Sequence, residues 1–508
     1  MHRALLLPEI IATILETESS SPGFLHTCLF ISKTFSLEAA RILWYACGAY
    51  YPPEVYLHVT PDVKHLAQIA IQDTRRAQYY ANFIHVLSFY QEDPEEHDDS
   101  EEDVYLAEAR WHEELVSLQF PQLEDFTLFK ESDATERNTG DLITHYAQPN
   151  IEYFKVCQGS GLSDSFFERL ANSCTRLKVL ELSDILTSSV SKDSLVKFLN
   201  RADALTWLLI RTGVHESWSC EVFEAIAKLP NLSHIAIPDI QDKWIDSISQ
   251  MNSSIPMFPS LKELEAGISD HDLESLARFV PNLEVLNIGL QNFPPSYTIL
   301  ASASNFPRLT SLTVEFGSQS RISGNDLLLL VQNCPLLDSL SLGEAKNDSV
   351  YPPSPGYRPS GINIDDNIID EIAQVLGTRI ISLAIVLDRP GLLTWRSILS
   401  LARYCKNLMG LTISCNFNWQ DTLSGTPEHT FPALEQLDFV FDGEIRASQL
   451  VNDSDEEMLQ GYARRMFEFV PKLSVFWVED GNDSDKDWEA AVMKIFYENW
   501  SPPEIVQD

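Results

Sequence analysis

Residue types that perform acid–base or metal chemistry are present in this chain, but not at the spacings that such chemistry requires. The segment Trp111-His112-Glu113-Glu114 begins like a zinc-protease helix, but Val116 stands where the second histidine would be needed. Gly159-Ser160-Gly161 is too short for a dinucleotide-binding loop, and no Gly-x-Ser-x-Gly segment occurs. The sequence therefore predicts a protein that is not an enzyme, with no metal and no cofactor. A catalytic triad assembled from distant positions leaves no motif, so a hydrolase stays a disfavoured third class.

The charge balance limits the partners. Lys and Arg number 36 against 74 Asp and Glu, which gives a formal net charge of −38. A surface of this sign is repelled by phosphate, so we expect neither nucleic acid nor an anionic membrane as a partner. Segment Glu92–Asp103 alone carries nine acidic residues. It is interpreted as a solvated loop, or as an acid-directed phosphorylation site at Ser100.

The cysteines and the apolar runs indicate the compartment. Eight cysteines are scattered without a Cys-x-x-Cys pair, which predicts reduced and mostly buried thiols. Ala4–Leu7 is too short for a signal peptide, and no stretch of 18 apolar residues could span a membrane. The expectation is a cytoplasmic or nuclear protein that is not secreted.

The strongest pattern is a repeated hexad, apolar-x-x-apolar-x-apolar. From Leu123 onward, ten of its twelve steps are 22 to 29 residues long, and steps of 43 and 39 residues mark insertions. In nine hexads a proline stands two residues before the first apolar anchor, where it marks the turn from a helix into a strand. The hexads start at Ile84, Leu123, Ile151, Leu177, Leu205, Leu232, Leu261, Leu283, Leu309, Leu337, Ile380, Leu408, Leu434 and Leu473.

Amphipathic helical patterns lie between the hexads, for example in Asp270–Val280 and Asp366–Leu376. This alternation resembles the leucine-rich-repeat proteins of the ribonuclease-inhibitor type. The segment Cys334-Pro-x-Leu-x-x-Leu-x-Leu342 is similar to the cysteine-containing subtype of these repeats. The resemblance implies an α/β solenoid with a curved parallel sheet inside and helices outside. The Asn or Cys usually found shortly after the strand in this family is mostly absent, so irregular loops are expected.

Selectivity is expected on the concave face of such a solenoid, because the residues between the buried leucines point there. Aromatic residues and arginine are frequent energetic anchors of interfaces, and glutamates in the middle third would favour a basic target segment. The predicted target-binding residues are Tyr153, Lys155, Trp207, Arg211, His234, Glu263, Glu265, Asn287, Glu315 and Trp477.

Residues 5–47 do not fit the repeat and read as three short helices. Leu7, Ile10, Ile11, Ile14 and Leu15 form one helical stripe, with Pro8 in the first turn. A second short helix is predicted around Leu25–Leu29, and a third over Leu37–Cys47 with Ser36 as its cap. Forty-five residues make a marginal core, so this unit must lean on its neighbour or be completed by a partner.

The segments Leu7-Pro8-Glu9-Ile10-Ile11, Ile31-Ser32-Lys33-x-Phe35 and Ala39–Trp44 resemble an F-box. The resemblance implies docking on the Skp-type adaptor of a cullin–RING (SCF) ubiquitin ligase, and Trp44 closing the module's core. Pro22-Gly23-Phe24-Leu25 departs from the family's usual start of the second helix. The adaptor-binding residues that the resemblance implies are Leu7, Pro8, Ile10, Ile11, Ile14, Leu25, Leu29, Ile31, Lys33 and Phe35.

The predicted organisation has four parts. Residues 1–48 form the F-box-like module, 49–83 a helical linker or N-terminal cap, 84–480 the solenoid, and 481–508 a C-terminal capping helix. Insertions are predicted near 91–104, 343–367 and 442–458. The favoured function is the substrate-recognition subunit of an SCF ligase in the ubiquitin-like conjugation pathway. The alternative is a ligase-independent leucine-rich-repeat scaffold for protein binding, with the N-terminal helices as a cap.

Overall fold

Each of the fourteen predicted hexads contains one strand of a parallel sheet, which begins two residues after the first apolar anchor. Neighbouring strands pair without a shift in register, as in Leu286↔Leu312 and Leu312↔Leu340.

The computed structural model describes residues 7–17, 22–48, 61–89, 111–129, 140–157, 161–183, 188–210, 217–251, 256–290, 293–317, 319–343, 358–388, 393–415, 429–441, 465–466 and 468–480. The strands are β1 (Ala46–Cys47), β2 (Val86–Phe89), β3 (Asp125–Phe129), β4 (Tyr153–Cys157), β5 (Leu162–Ser163), β6 (Val179–Ser183), β7 (Ser188–Ser189), β8 (Trp207–Ile210), β9 (His234–Asp239), β10 (Glu263–Gly267), β11 (Val285–Gly289), β12 (Ser311–Glu315), β13 (Arg321–Ser323), β14 (Ser339–Leu342), β15 (Ser360–Ile362), β16 (Ser382–Ile385), β17 (Gly410–Ser414), β18 (Gln436–Phe441) and β19 (Val475–Asp480).

The chain divides into two compact units, Met1–Ala236 with Ser247–Ser260, and Ile237–Asp246 with Leu261–Asp508. In the first unit the main-sheet strands follow the order β1, β2, β3, β4, β6, β8 and β9. In the second unit the order is β10, β11, β12, β14, β16, β17, β18 and β19. Short parallel pairs β5–β7 and β13–β15 join loops that follow the main strands. Strand order that follows chain order, with helices between parallel strands, defines an α/β leucine-rich-repeat solenoid.

Helices return the chain from one strand to the next. Most begin at a side-chain cap; Asp365, for example, accepts hydrogen bonds from the amides of Asn367 and Ile368, both at 3.0 Å. The helices are α1 (Pro8–Thr17), α2 (Pro22–Cys28), α3 (Lys33–Leu43), α4 (Val63–Gln72), α5 (Thr74–Ala81), α6 (Gly140–His145), α7 (Asp164–Ser173), α8 (Lys192–Leu199), α9 (Cys220–Ala227), α10 (Asp242–Gln250), α11 (Asp270–Leu276), α12 (Ile299–Ala303), α13 (Gly324–Asn333), α14 (Asp366–Leu376) and α15 (Trp395–Tyr404).

The core of each unit is a stack of repeated apolar positions. Leu312, Leu340 and Leu383 occupy the same position in successive strands and are at most 1% exposed. Each such leucine contributes about 1.5–3 kcal/mol by burial. In the first unit aromatic rings take part in this stack, where Tyr146 lies 4.6 Å from Phe126 between ring centroids.

Side chains in the turns before the strands tie each repeat to the one before it. The amide nitrogens of Asn150, Asn231 and Asn407 donate to backbone carbonyls of the preceding repeat at 2.7–2.8 Å. The buried thiols of Cys174 and Cys334 do the same at 3.3 and 3.4 Å. These bonds form a ladder before the strands. The sequence pattern had indicated only that the usual ladder after the strands was missing.

The cysteine prediction is confirmed. All eight cysteines are free, and six are buried. Burial raises the pKa of the Cys174 thiol to about 12 and that of Cys334 to about 11, so both stay protonated at neutral pH. A protonated thiol can donate a hydrogen bond, which is the role these two residues play between repeats.

Asp272, at the start of α11, makes the second unit sensitive to pH. Its side chain is buried, is hydrogen-bonded to Asp242 and accepts a hydrogen bond from the Ser269 hydroxyl. Burial and the hydrogen bond to Asp242 raise the pKa of Asp272 to about 6. Because this folded value lies above the unfolded one, the protonated carboxyl stabilises the fold at low pH and this contribution is lost as pH rises through 6.

Asp272→Asn, which cannot ionise, is therefore expected to raise the free energy of unfolding at pH 7.5 by about 2 kcal/mol. At pH 4 the same substitution should have little effect. Urea denaturation at the two pH values measures both. Equal effects at pH 4 and 7.5 would contradict a raised pKa of Asp272.

Three predicted segments lie outside the described residues: the insertions near 91–104 and 442–458 and the capping helix 481–508. Of the insertion at 343–367, the described part contains β15, which pairs with β13. Within the described part of the chain, no helix is long and apolar enough to cross a membrane.

Candidate docking surfaces

The N-terminal helices form a small cluster in which α1 and α2 pack against α3. Ile11 and Leu15 of α1, and Leu25 and Cys28 of α2, are fully buried. The third helix begins earlier than predicted, because Ser32 and not Ser36 caps it by accepting from the Phe35 amide at 3.4 Å. The inner faces of these helices are therefore buried against one another, and their outer faces are exposed.

Three predicted adaptor-binding residues belong to this interior. Ile11 and Leu25 are 0% exposed and Phe35 is 9% exposed, since the helices turn these side chains toward one another. They hold the cluster together and cannot form a contact surface, which corrects their assignment. Lys33 and Pro8 are exposed and Leu29 is half-buried, so these residues remain candidates for contact.

Large apolar side chains are exposed on the outer faces. On α1 and just before it, Leu7 is 50% exposed, Ile10 37% and Ile14 38%; these predicted contact residues lie beside the face that buries Ile11 and Leu15. After α2, Phe30 is 87% exposed and Ile31 50%. A fold that only had to bury its own core would place polar residues at such positions.

An open groove of about 540 Å³ lies beside Phe30. Tyr79 of α5 forms part of its wall, so the linker helices and the N-terminal cluster build it together. The sequence pattern identified Leu29 and Lys33 but missed Phe30 and Tyr79, which fall outside any periodic stripe. The groove is lined by Leu29, Phe30, Ser32, Lys33, Ser36, Leu37 and Tyr79.

The cluster is joined to the repeats through aromatic stacking and a strand. The Trp44 ring stacks on Tyr80 of α5 at 4.6 Å, and the Tyr45 ring stacks on His85 at 4.7 Å. The next residues form β1, which pairs with β2 and was not predicted. Trp44 therefore joins the N-terminal cluster to the linker helix α5, whereas the resemblance had implied that it closes the core of the module. The small module therefore packs against the neighbouring part of the chain, which is one of the two ways in which a core of its size can be completed.

The strand face consists of the side chains that alternate with the buried ones along each strand. In the first unit Tyr153, Val179, Trp207 and His234 occupy equivalent positions in four neighbouring strands. Trp207 and His234 stack at 4.5 Å, and Tyr153 is 39% exposed. In the next row, Lys155 lies 3.9 Å from Glu181.

In the second unit the strand face is poorer in large side chains. Glu263 and Glu265 of β10 and Asn287 of β11 are half-buried, as predicted for face positions. Glu315, the last residue of β12, continues the alternation of Ser311 and Thr313 but is only 7% exposed, so it offers little surface for contact. Arg211 lies outside the described residues. Trp477 of β19 lies opposite Asp438 of β18 in the strand register.

Comparisons with known proteins give structural likeness only. No known protein-family model matches the chain, and no curated protein matches it either. A chain of the yeast Rad7 and Elc1 complex has a TM-score of 0.35 at 16% identity, covering 64% of this chain and 81% of its own. The leucine-rich repeat-containing protein LegL7 from Legionella pneumophila has a TM-score of 0.29 at 11% identity, covering 77% of this chain and 95% of its own. The solenoid assignment follows from the strands and helices of this chain itself.

Among the described residues, no group of three or more His, Cys, Asp or Glu side chains is arranged to hold a metal ion. The deeply buried His112 stacks on Phe89 at 3.8 Å between ring centroids. Burial lowers the pKa of His112 to about 3, so it stays neutral at physiological pH. The zinc-protease-like segment thus supplies a core residue.

Proposed function

We propose that this protein is a substrate receptor of an SCF-type ubiquitin ligase. Its N-terminal cluster would bind a Skp-type adaptor through the exposed face of α1 and the groove beside Phe30. The strand face of the solenoid would hold the target protein. The F-box-like sequence elements and the exposed apolar side chains support the same region as the docking site.

The observation that carries the proposal is the concentration of exposed apolar side chains. Seven of the seventeen large apolar residues that are exposed in the described part of the chain lie between residues 7 and 37. Exposed apolar surface of this density is typical of a protein-binding site. A simple cap over the first repeat would turn these side chains inward, which argues against the alternative of a ligase-independent scaffold.

In this role the protein would form no covalent bond with ubiquitin. Binding adaptor and target at the same time raises the effective concentration of a target lysine near the conjugating enzyme. The stacking of Trp44 on Tyr80 and the pairing of β1 with β2 would keep the adaptor-binding cluster in a fixed position on the first repeats. A fixed position matters because ubiquitin is transferred only if the conjugating enzyme can reach the target lysine.

The proposal is tested by co-purification of the full chain with a Skp-type adaptor and a cullin–RING scaffold. Wild type should retain the adaptor, and Ile10→Asp/Ile14→Asp should release it, since both side chains are exposed and their loss leaves the fold intact. Ile11→Asp is unsuitable because it would place a charge in the core. If the double variant retains the adaptor as well as wild type does, the scaffold alternative is favoured.

A further inference from the structure

One row of positions in the second unit is polar except at two adjacent strands. The row consists of the residue directly after each hexad's first anchor, at the edge where the strands begin. Most of its members are charged or hydroxylated, whereas Ile381 and Met409 are apolar and each is 43% exposed. In strand order the row is Lys262, Glu284, Thr310, Asp338, Ile381, Met409, Glu435 and Ser474.

Backbone hydrogen bonds place the middle four residues side by side. The Ile381 amide donates to the Asp338 carbonyl at 2.7 Å, and the Met409 amide donates to the Ile381 carbonyl at 2.8 Å. The Glu435 amide donates to the Met409 carbonyl at 2.8 Å. Asp338, Ile381, Met409 and Glu435 are therefore consecutive members of one continuous line, which we call the edge row.

The fold does not require this composition. The equivalent positions of the other repeats in the unit are polar, so the core is complete without an apolar residue there. Beside the pair, in the strand face, stand the small residues Ser382 and Gly410. A Cβ atom at Gly410 would meet only the Ser382 hydroxyl at 3.6 Å, an ordinary contact, so backbone packing does not demand glycine here. The strand face is therefore open at Gly410.

Carboxylates flank the apolar pair on both sides. Glu435 is exposed and Asp338 is half-buried. Among the described residues, neither takes part in an ion pair. The chain as a whole is strongly acidic, with a net charge of −38. An occupant of this surface must therefore be apolar at its centre and basic at its two ends.

We infer that the edge row binds an extended basic-x-apolar-x-basic segment of a partner protein. Three strand spacings separate Asp338 from Glu435, about 14 Å. Alternate residues of an extended chain lie about 7 Å apart on one side, so basic residues four positions apart would reach both carboxylates. The central apolar side chain would then rest between Ile381 and Met409. This inference rests on the proposed role of the solenoid as the part that holds the target.

The test uses the purified full chain without adaptor, so it is independent of the N-terminal cluster. The probe is a fluorescent peptide, Gly-Lys-Ser-Leu-Ser-Lys-Gly, and binding is followed by fluorescence polarisation at low salt. We expect saturable binding that weakens at least tenfold for Ile381→Ser/Met409→Ser and for Asp338→Asn/Glu435→Gln. Leu329→Ser, an exposed leucine on α13 of the same unit, is the matched control and should bind as wild type does.

A charge exchange locates the peptide on the row. Glu435→Lys should lose at least tenfold in affinity for the first peptide and recover it for Gly-Lys-Ser-Leu-Ser-Glu-Gly. Absence of saturable binding by wild type, equal binding by all variants, or failure of the exchanged pair to recover would each overturn the inference. Co-purification of the adaptor with the same chain reports separately on the proposed function.

Discussion

Replacing Phe30 by aspartate is expected to abolish adaptor binding while leaving the fold unchanged. The ring is 87% exposed beside the groove, so its loss removes no core contact in the free protein. An aromatic side chain that becomes buried in an interface contributes about 2–4 kcal/mol, and a charge in its place adds a desolvation cost. Isothermal titration of the full chain with a Skp-type adaptor should show affinity lowered by at least about 30-fold.

Ile71→Asp is the matched control for this prediction. Ile71 lies on α4 of the same unit, is 53% exposed and does not line the groove. Its replacement should leave adaptor affinity and the urea midpoint as in wild type. Equal losses for Phe30→Asp and Ile71→Asp would indicate a general charge effect and argue against the groove as the docking site.

The second large effect is expected for Trp44→Ala. Trp44 is 9% exposed and stacks on Tyr80, and this contact joins the N-terminal cluster to α5. Removing a buried aromatic side chain of this size costs about 3–5 kcal/mol through lost burial and the cavity left behind. We expect a separate unfolding transition of the first residues, observed as earlier proteolysis between α3 and α4.

Tyr79→Ala serves as the comparison for Trp44→Ala. Tyr79 neighbours Tyr80 on the same helix but is 40% exposed, so its replacement should cost less than about 1 kcal/mol. It should nevertheless weaken adaptor binding, because the ring lines the groove. If Trp44→Ala were as stable as Tyr79→Ala, the cluster would not depend on the solenoid for its stability.

The strands could be predicted from the sequence because their cause is local. In a hexad such as Leu309 to Val314, alternation selects a strand, and Pro307, two residues before the anchor, marks the turn from the preceding helix. Every repeat faces the same neighbours, so one interpretation serves for all fourteen. β1 was missed because Ala46 and Cys47 were assigned to the end of the predicted third helix, and a strand of two residues is too short to show an alternating pattern.

The docking surface could be predicted only in part. The α1 stripe contains both Ile11, which is buried against α3, and Ile10, which is exposed. A stripe of this width does not indicate which edge faces the core, since that depends on the packing of three helices. Glu315 is a related case, because alternation places the last residue of β12 in the face but does not determine how far its side chain is exposed.

In the proposed role, the adaptor docks on residues 7–17 and 22–37 and not on the solenoid. Hydrogen exchange of the full chain, measured by mass spectrometry with and without a Skp-type adaptor, tests this most directly. Slower exchange upon binding is predicted in peptides covering α1, α2 and the start of α3, with no change in peptides from β10 to β17. Protection confined to the solenoid, or no protection in either region, would contradict docking of the adaptor on the N-terminal cluster.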